Sequence, residues 1–321
     1  MIPAEPAVRS LLALKLFGAG RKSTSWTWSS TRPPPCLPDC RVAVNWAYGH
    51  ILPEAAAEPV DHLTGDRASH VDMLAWDAHW YDSQGKPFDL MTAVFIDEGE
   101  RKTCKPAEQI EQELAIIVAN GGRYFAWDNP TAASGLVPER QEYLGRVVAP
   151  FLRARQPWCA QTERVPDAAV LNSSTDHYAA TLNSPMCFAM SPKRVLGPAD
   201  ALCRQHLNYD VVSTARLLRG DVGAPLLVVD NPAALTADEI EAVRGWAAHR
   251  GTLLLTGTRF QREFRSGRIV RTEVPLGEHA PESLSALLAR ALPQERRHVV
   301  TDAPGYVEVV LRKWPPHEPG T

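Results

Sequence analysis

The chain has 321 residues, long enough for two domains and a substantial core, with 45% hydrophobic and 22% charged side chains. A formal net charge of -3 gives no electrostatic basis for binding nucleic acid or an anionic membrane, and no apolar run is long enough to span a bilayer. Of the six cysteines only Cys36 and Cys40 lie close together, and no second Cys or His pair completes a zinc site. Free thiols and a cytoplasmic protein without metal or cofactor are the expectation. The short apolar run at Leu11–Phe17 lacks the flanks of a signal peptide.

Residues 1–39 show no periodicity and contain low-complexity tracts, so this stretch reads as disordered or as a non-native beginning. RVAVNWAY (41–48) predicts a first strand. A polar, proline-containing excursion follows from His50 to Ser69, and then a helix over 72–83 carrying Met73, Leu74, Trp76 and Trp80. FDLMTAVF (88–95) predicts a second strand, followed by a charged loop. After Pro106, the spacing of Ile110, Leu114, Ile117 and Val118 predicts one apolar helical stripe, ended by Gly121 and Gly122. RYFAWD (123–128) is a third strand. A third helix over 138–155 faces Leu144, Val147, Val148, Phe151 and Leu152 inward. Alternation of strand and helix without hairpin signals predicts a parallel α/β arrangement for residues 40–158.

Residues 156–166 have the composition of a linker, and a second α/β domain is expected over 165–275. It begins with a strand at 168–171, a helix around 198–207 and a strand at Val211 and Val212. The best-punctuated stretch is 224–258. Leu226–Val229 is an apolar run suited to a strand buried on both faces, and Asn231-Pro232 stops it. Thr236-x-x-Glu239 is a capping box opening a helix with Ile240, Val243 and Ala247 on one stripe. Gly251 is expected to supply a left-handed helix cap, and Thr252–Leu255 is a second buried strand. Two such strands joined by a helix should be parallel, giving a doubly wound sheet of the flavodoxin type. Residues 276–321 add a helix at 281–292 and a final strand at 306–313 with no visible partner, where a further β domain is expected to begin.

Four segments carry a family resemblance: CRVAVNWAY (40–48), GKPFDLMTAVF (85–95), KPAEQIEQELAIIVANGGRYFAWD (105–128) and TDAPGYVEVVLRK (301–313). They resemble bacterial multidomain glycoside-hydrolase-like proteins related to α-L-fucosidases and to the β-galactosidase trimerisation-domain group. The resemblance implies a (β/α)8 barrel, then a class I amidotransferase-like α/β domain, then a small β-sandwich, with carbohydrate as ligand and glycosidic-bond hydrolysis as reaction. Only about three barrel strands are visible, which predicts a partial barrel and a chain truncated at both ends. Such a partial cylinder should leave a strand edge and one face uncovered, making 40–158 weaker than 165–258.

Glycoside hydrolysis needs two carboxyl groups flanking the bond, which barrels supply from the carboxyl ends of strands. The candidates are Asn45, Tyr48 and His50 after the first strand, Asp97 and Glu98 after the second, and Asp128 with Asn129 after the third. Asp128 is the best single carboxylate, because Trp127 beside it offers a stacking surface for sugar. Against this stands the ordinary role of such loop acids as helix caps or solvated groups. No catalytic pair is assignable. An amidotransferase needs Cys at a strand-to-helix elbow, yet Asn231 follows one central strand and Thr258 the other, while Cys187 and Cys203 lie elsewhere. No glycine-rich phosphate motif occurs. Two readings follow: a glycoside-hydrolase fragment inactive alone, or a non-catalytic carbohydrate-binding module that self-associates through its α/β domain.

Overall fold

The computed structural model describes residues 41–46, 48–56, 60–66, 70–98, 101–128, 135–181 and 193–315. The expectations for residues 1–39, Cys40, Asn129 and Cys187 therefore fall outside the described residues.

The first layer is a four-stranded parallel sheet of β1 (Ala43–Asn45), β2 (His62–Gly65), β3 (Phe88–Ala93) and β6 (Arg123–Trp127), in the order β1-β2-β3-β6. Strand β2 lies inside the stretch expected to be a polar excursion. Its one large apolar side chain, Leu63, is completely buried, and Gly65 lies where a Cβ would meet the Leu90 and Tyr81 side chains. The charged segment after β3 is also not a loop. It is an antiparallel hairpin of β4 (Phe95–Glu98) and β5 (Arg101–Cys104), pairing Asp97 with Lys102 and Glu98 with Arg101 in register. No apolar alternation in the sequence announces that pairing.

Helix α1 (Val71–Asp82) explains how the two halves meet. Trp76, Ala78, His79, Trp80 and Tyr81 are all buried. A helix buried on every side belongs between layers rather than at a surface. It packs on β3 and on α2 (Ala107–Ala119) on one side, and on α5 (Lys193–Cys203) and β9 (Tyr209–Ser213) on the other. One hydrophobic cluster runs from Leu63, Phe88 and Leu90 of the first sheet through α1 to Val170, Val211, Leu226 and Leu254 of the second. The helix-bearing face of residues 40–158 thus packs on the other half of the chain, while the opposite face, which would point into a closed barrel, carries the exposed Asn45 and Arg123. In α2 the Ile110, Leu114, Ile117 and Val118 stripe is buried as its spacing requires, and α3 (Pro138–Cys159) packs Leu144 and Phe151 against the β3–β4 corner.

The second layer is a five-stranded, all-parallel sheet of β8 (Ala168–Asn172), β9, β10 (Leu226–Val229), β11 (Thr252–Leu255) and β12 (Arg268–Arg271), in the order β12-β11-β10-β8-β9. Along β10 successive side chains serve opposite cores. Leu226 and Val228 join the cluster with α5 and α8 (Pro281–Ala291), while Leu227 and Val229 join one with Val243, Trp246 and Ala247 of α7 (Ala237–His249). A strand alternates sides every residue, so a continuous apolar run means helices on both faces. Strand β12, with an arginine at each end, gave no such run. The capping box of α7 is formed: Thr236 Oγ1 accepts from Glu239 N at 3.1 Å, and Glu239 Oε2 accepts from Thr236 N at 2.8 Å.

Two local expectations are corrected. Gly251 is not in the left-handed region; glycine is needed there because a Cβ would collide with the Pro225 carbonyl and the Trp246 ring. Most of residues 306–313 is not strand. Only β13 (Arg312–Lys313) pairs, antiparallel, with β7 (Glu163–Arg164), which lies in the stretch read as linker. No helix among the described residues is long and apolar enough to cross a membrane.

Candidate functional site at the carboxyl edge of the first sheet

Loops leaving the carboxyl ends of parallel strands converge at one edge, where β/α enzymes place their reacting groups. On the first sheet that edge carries Asn45 at the end of β1, Asp66 directly after β2, and Trp127 and Asp128 at the end of β6. Asn45 Nδ2 donates to Asp66 Oδ1 at 2.6 Å. The Trp127 ring tilts at 53° against Phe95, with centroids 5.1 Å apart. Asp128 accepts from Arg140 Nη1 and, at 2.7 Å, from Gln141 Nε2, both in the first turn of α3. Those two donors tie the strand end to the next helix and leave the carboxylate 7% exposed.

Asp66 and Asp128 stand on strands two apart in the sheet order, and the register sets Asp66 level with Phe125, three residues before Asp128, so their backbones lie about 14 Å apart at the usual strand spacing and rise. A retaining pair needs about 5 Å between carboxyl groups and an inverting pair less than about 10 Å, so these backbone positions suit neither. Asp66 escaped the sequence reading because β2 did. The alternation in HLTGD, with polar residues flanking Leu63, was the available signal.

The other predicted residues lie apart from this pair. His50 is buried against α1, its backbone N–H donating to Asp77 Oδ1 at 3.1 Å and its Nδ1 3.5 Å from the same oxygen. Tyr48 tilts against the His50 ring at 5.4 Å. Asp97 and Glu98 are at the far end of β4, beyond a bend that separates it from β3, so their backbone positions belong to the hairpin and not to the strand end.

The exposed face of the sheet holds a polar row that the sequence reading missed. Asn45, Thr64, Asp89 and Arg123 are register partners across all four strands. His62 Nε2 lies 2.6 Å from Asp89 Oδ2, and Thr64 donates to Asp89 Oδ1. The strand ends are staggered along this row: Asp89 is the second residue of β3 and Arg123 the first of β6, while Asn45 is the last of β1.

Solved structures similar to this chain in fold include glycosidases. The β-galactosidase of Bacillus circulans sp. alkalophilus aligns over 74% of this chain and 37% of its own, at 14% identity and a TM-score of 0.53. The β-galactosidase of the haloarchaeon Halorubrum lacusprofundi aligns over 71% and 39%, at 16% identity and a TM-score of 0.51. The α-L-fucosidase isoenzyme 2 of Paenibacillus thiaminolyticus aligns over 59% and 27%, at 21% identity and 0.49. In fold, the chain is similar to glycoside hydrolases. It spans well under half the length of these three chains. No protein-family model matches the sequence, and no curated protein matches it.

The second sheet offers no nucleophile at its central elbow. Asn231, directly after the Asp230 that ends the β10 run, takes a left-handed conformation with φ 40°. Cys203 lies at the end of α5, and burial, with Glu308 and other acids nearby, pushes its thiol up to about 12. Such a thiol carries almost no thiolate at neutral pH. His249 ends α7 at the exposed surface. Among the described residues no group of three or more His, Cys, Asp or Glu is placed to hold a metal ion.

Proposed function

We propose that this chain is a carbohydrate-handling relative of glycoside hydrolases that contacts sugar at the carboxyl edge of its first sheet and does not hydrolyse glycosides by itself. The carbohydrate part rests on fold analogy to β-galactosidases. The observation that carries the second part is the engagement of Asp128. A general acid or nucleophile must turn its carboxyl group towards the substrate, whereas Asp128 already accepts from Arg140 and Gln141. Its lateral distance from Asp66 is wrong for a retaining pair. Trp127 supplies the apolar surface on which a sugar ring stacks, and Asn45 and Asp66 supply hydrogen-bonding groups further across the same edge, three and two strands away.

The test is a pair of assays on the purified chain. Turnover of nitrophenyl β-galactoside and α-fucoside is expected at background. Fucose or galactose is expected to change tryptophan fluorescence saturably, with the component that comes from this edge lost in Trp127→Ala. Robust turnover abolished by Asp128→Asn would overturn the non-catalytic reading, and absence of sugar binding would overturn the other part.

The second sheet is read as a flavodoxin-like, class I amidotransferase-like domain covering residues 165–275, with 276–321 as an appended tail and 40–158 as a partial barrel. Counted from β8, its strand order is 2-1-3-4-5, which supports that reading. Asn231 stands at the elbow where an amidotransferase needs Cys, so no ammonia release from glutamine is expected. Glutaminase activity lost in Cys203→Ser would count against it.

A further inference from the structure

Where β8 and β10 lie side by side the strand order of the second sheet reverses, and the crevice outside their carboxyl ends is where open α/β sheets bind ligands. A cavity of about 30 Å³ is found there. Trp76 from α1, Asn172 from the end of β8, His177 from α4 (Ser174–Ala180), Arg194 from α5, and Asp176 and Asp230 line it. Trp76, Asn172 and His177 are 1%, 6% and 5% exposed.

Four nitrogen atoms around this one cavity have no hydrogen-bond partner among the described residues: Trp76 Nε1, Asn172 Nδ2, His177 Nε2 and Arg194 Nε. The indole, amide and guanidinium nitrogens can only donate. Buried donors are nearly always satisfied, so their convergence points to acceptor atoms that none of the described residues supplies. Acceptors face the same space. Asp230 Oδ1 takes Thr256 Oγ1 at 2.5 Å and Leu276 N at 2.7 Å, and Asp176 Oδ1 takes Arg194 and the Ala233 amide, leaving Oδ2 of each without a partner among the described residues.

Charge decides the kind of occupant. The Arg194 cation is paired with Asp176, and Asp230 is a second carboxyl group in the same wall. The lining therefore carries no excess positive charge to attract an anion. A neutral group that both accepts and donates at the same atom satisfies both sets, and a hydroxyl does this. A water needs about 10–15 Å³ of such space, so the cavity takes roughly two oxygen atoms. Arg194 and Asp176, at 30% and 18% exposed, form its more open side.

We propose that this pocket, on the second sheet and independent of the reading of the first, binds the vicinal diol edge of a neutral polyol or sugar. One hydroxyl accepts from Trp76 Nε1 and Asn172 Nδ2, and its neighbour accepts from Arg194 Nε, while both donate to the carboxylates.

The experiment follows the Trp76 indole N–H by NMR in the full 15N-labelled chain, assigned through Trp76→Phe. The probes are glycerol and D-galactose, with 1-propanol as a mono-alcohol and sodium acetate as an anion. The expected result is a saturable shift with glycerol or galactose and none with propanol or acetate. Asn172→Asp, which exchanges donors for an acceptor at constant size, and Arg194→Met should each weaken binding by about tenfold, the worth of one good hydrogen bond. Trp127→Ala should leave the shift intact, which separates this pocket from the edge of the first sheet. No saturation by either polyol would mean that waters alone fill the cavity. Saturation by acetate or propanol equal to that by glycerol, or a shift unchanged in both pocket variants, would equally overturn the proposal. The wild-type titration alone decides the matter if a variant does not fold.

Discussion

Removing the carboxylate of Asp82 should release the contact that fastens the tail of the chain to α1. Asp82 ends α1 and accepts from Arg312 Nη1 at 2.8 Å and Nη2 at 2.9 Å, and from Arg164 Nε at 3.0 Å. The two guanidiniums are 9% and 6% exposed, so one carboxylate serves two nearly buried cations. They also bond to Asn120, Thr162 and Asn208, which holds them in place whether or not the carboxylate is there. Deleting one partner of a buried ion pair costs about 3–5 kcal/mol because the remaining charge cannot reach water. Asp82→Ala is therefore expected to lose that much in urea unfolding followed by far-UV circular dichroism and tryptophan fluorescence. At about 3 kcal/mol per M, the midpoint drops by about 1–2 M. The exposed i,i+4 pair of Asp200 and Arg204, 2.8 Å apart, is the control, and Asp200→Ala should change stability by about 0.5 kcal/mol or less. The pH dependence has a defined sign. Burial raises the Asp82 carboxyl, but Arg164 and Arg312 outweigh it and hold it below its ordinary value. Its contribution is complete above about pH 4 and is lost as pH falls through the depressed folded value. If Asp82→Ala costs no more than Asp200→Ala, or the wild-type advantage over Asp82→Ala persists unchanged into strong acid, the reasoning fails.

Gly251→Ala should destabilise by about 1–3 kcal/mol through overpacking against the Pro225 carbonyl and the Trp246 ring, measurable as a lower urea midpoint. A neutral or stabilising effect would show that the β10–β11 corner yields easily. His177 should remain neutral by NMR titration down to about pH 4, because burial, with Arg194 and His50 nearby, disfavours its charged form. Its folded value lies below the unfolded one, so stability is complete above about pH 6.5 and declines as pH falls from there towards 4, by a few kcal/mol. His177→Gln should flatten that decline, and an unchanged slope would contradict it.

The parts of this protein legible in its sequence are those whose causes are local. Thr236 and Glu239 are three residues apart and cap α7 as their spacing requires. The α2 stripe repeats with the helical period, and the apolar runs of β10 and β11 announce burial on both faces. Of the predicted site residues, Asn45, Trp127 and Asp128 do end or directly follow strands that could be read, although the register sets Asn45 level with Arg123 rather than with Trp127. The rest was settled by partners far away in the chain. Strand β2 has a single large apolar residue and is a strand because β1 and β3 flank it, which in turn brings Asp66 to the edge. Helix α1 was legible from Met73, Leu74, Trp76 and Trp80, but only the second sheet, some ninety residues later, explains why it is buried on opposite sides. The linker and the tail became a two-stranded pair, and Arg312 found Asp82 across 230 positions of sequence. The pocket at the sheet reversal draws on α1, β8, α4, α5 and β10, and no motif encodes it. Hydrogen bonds between groups so far apart leave no periodic trace, because periodicity records only which side of an element faces apolar surroundings and not which polar atoms the fold brings together there.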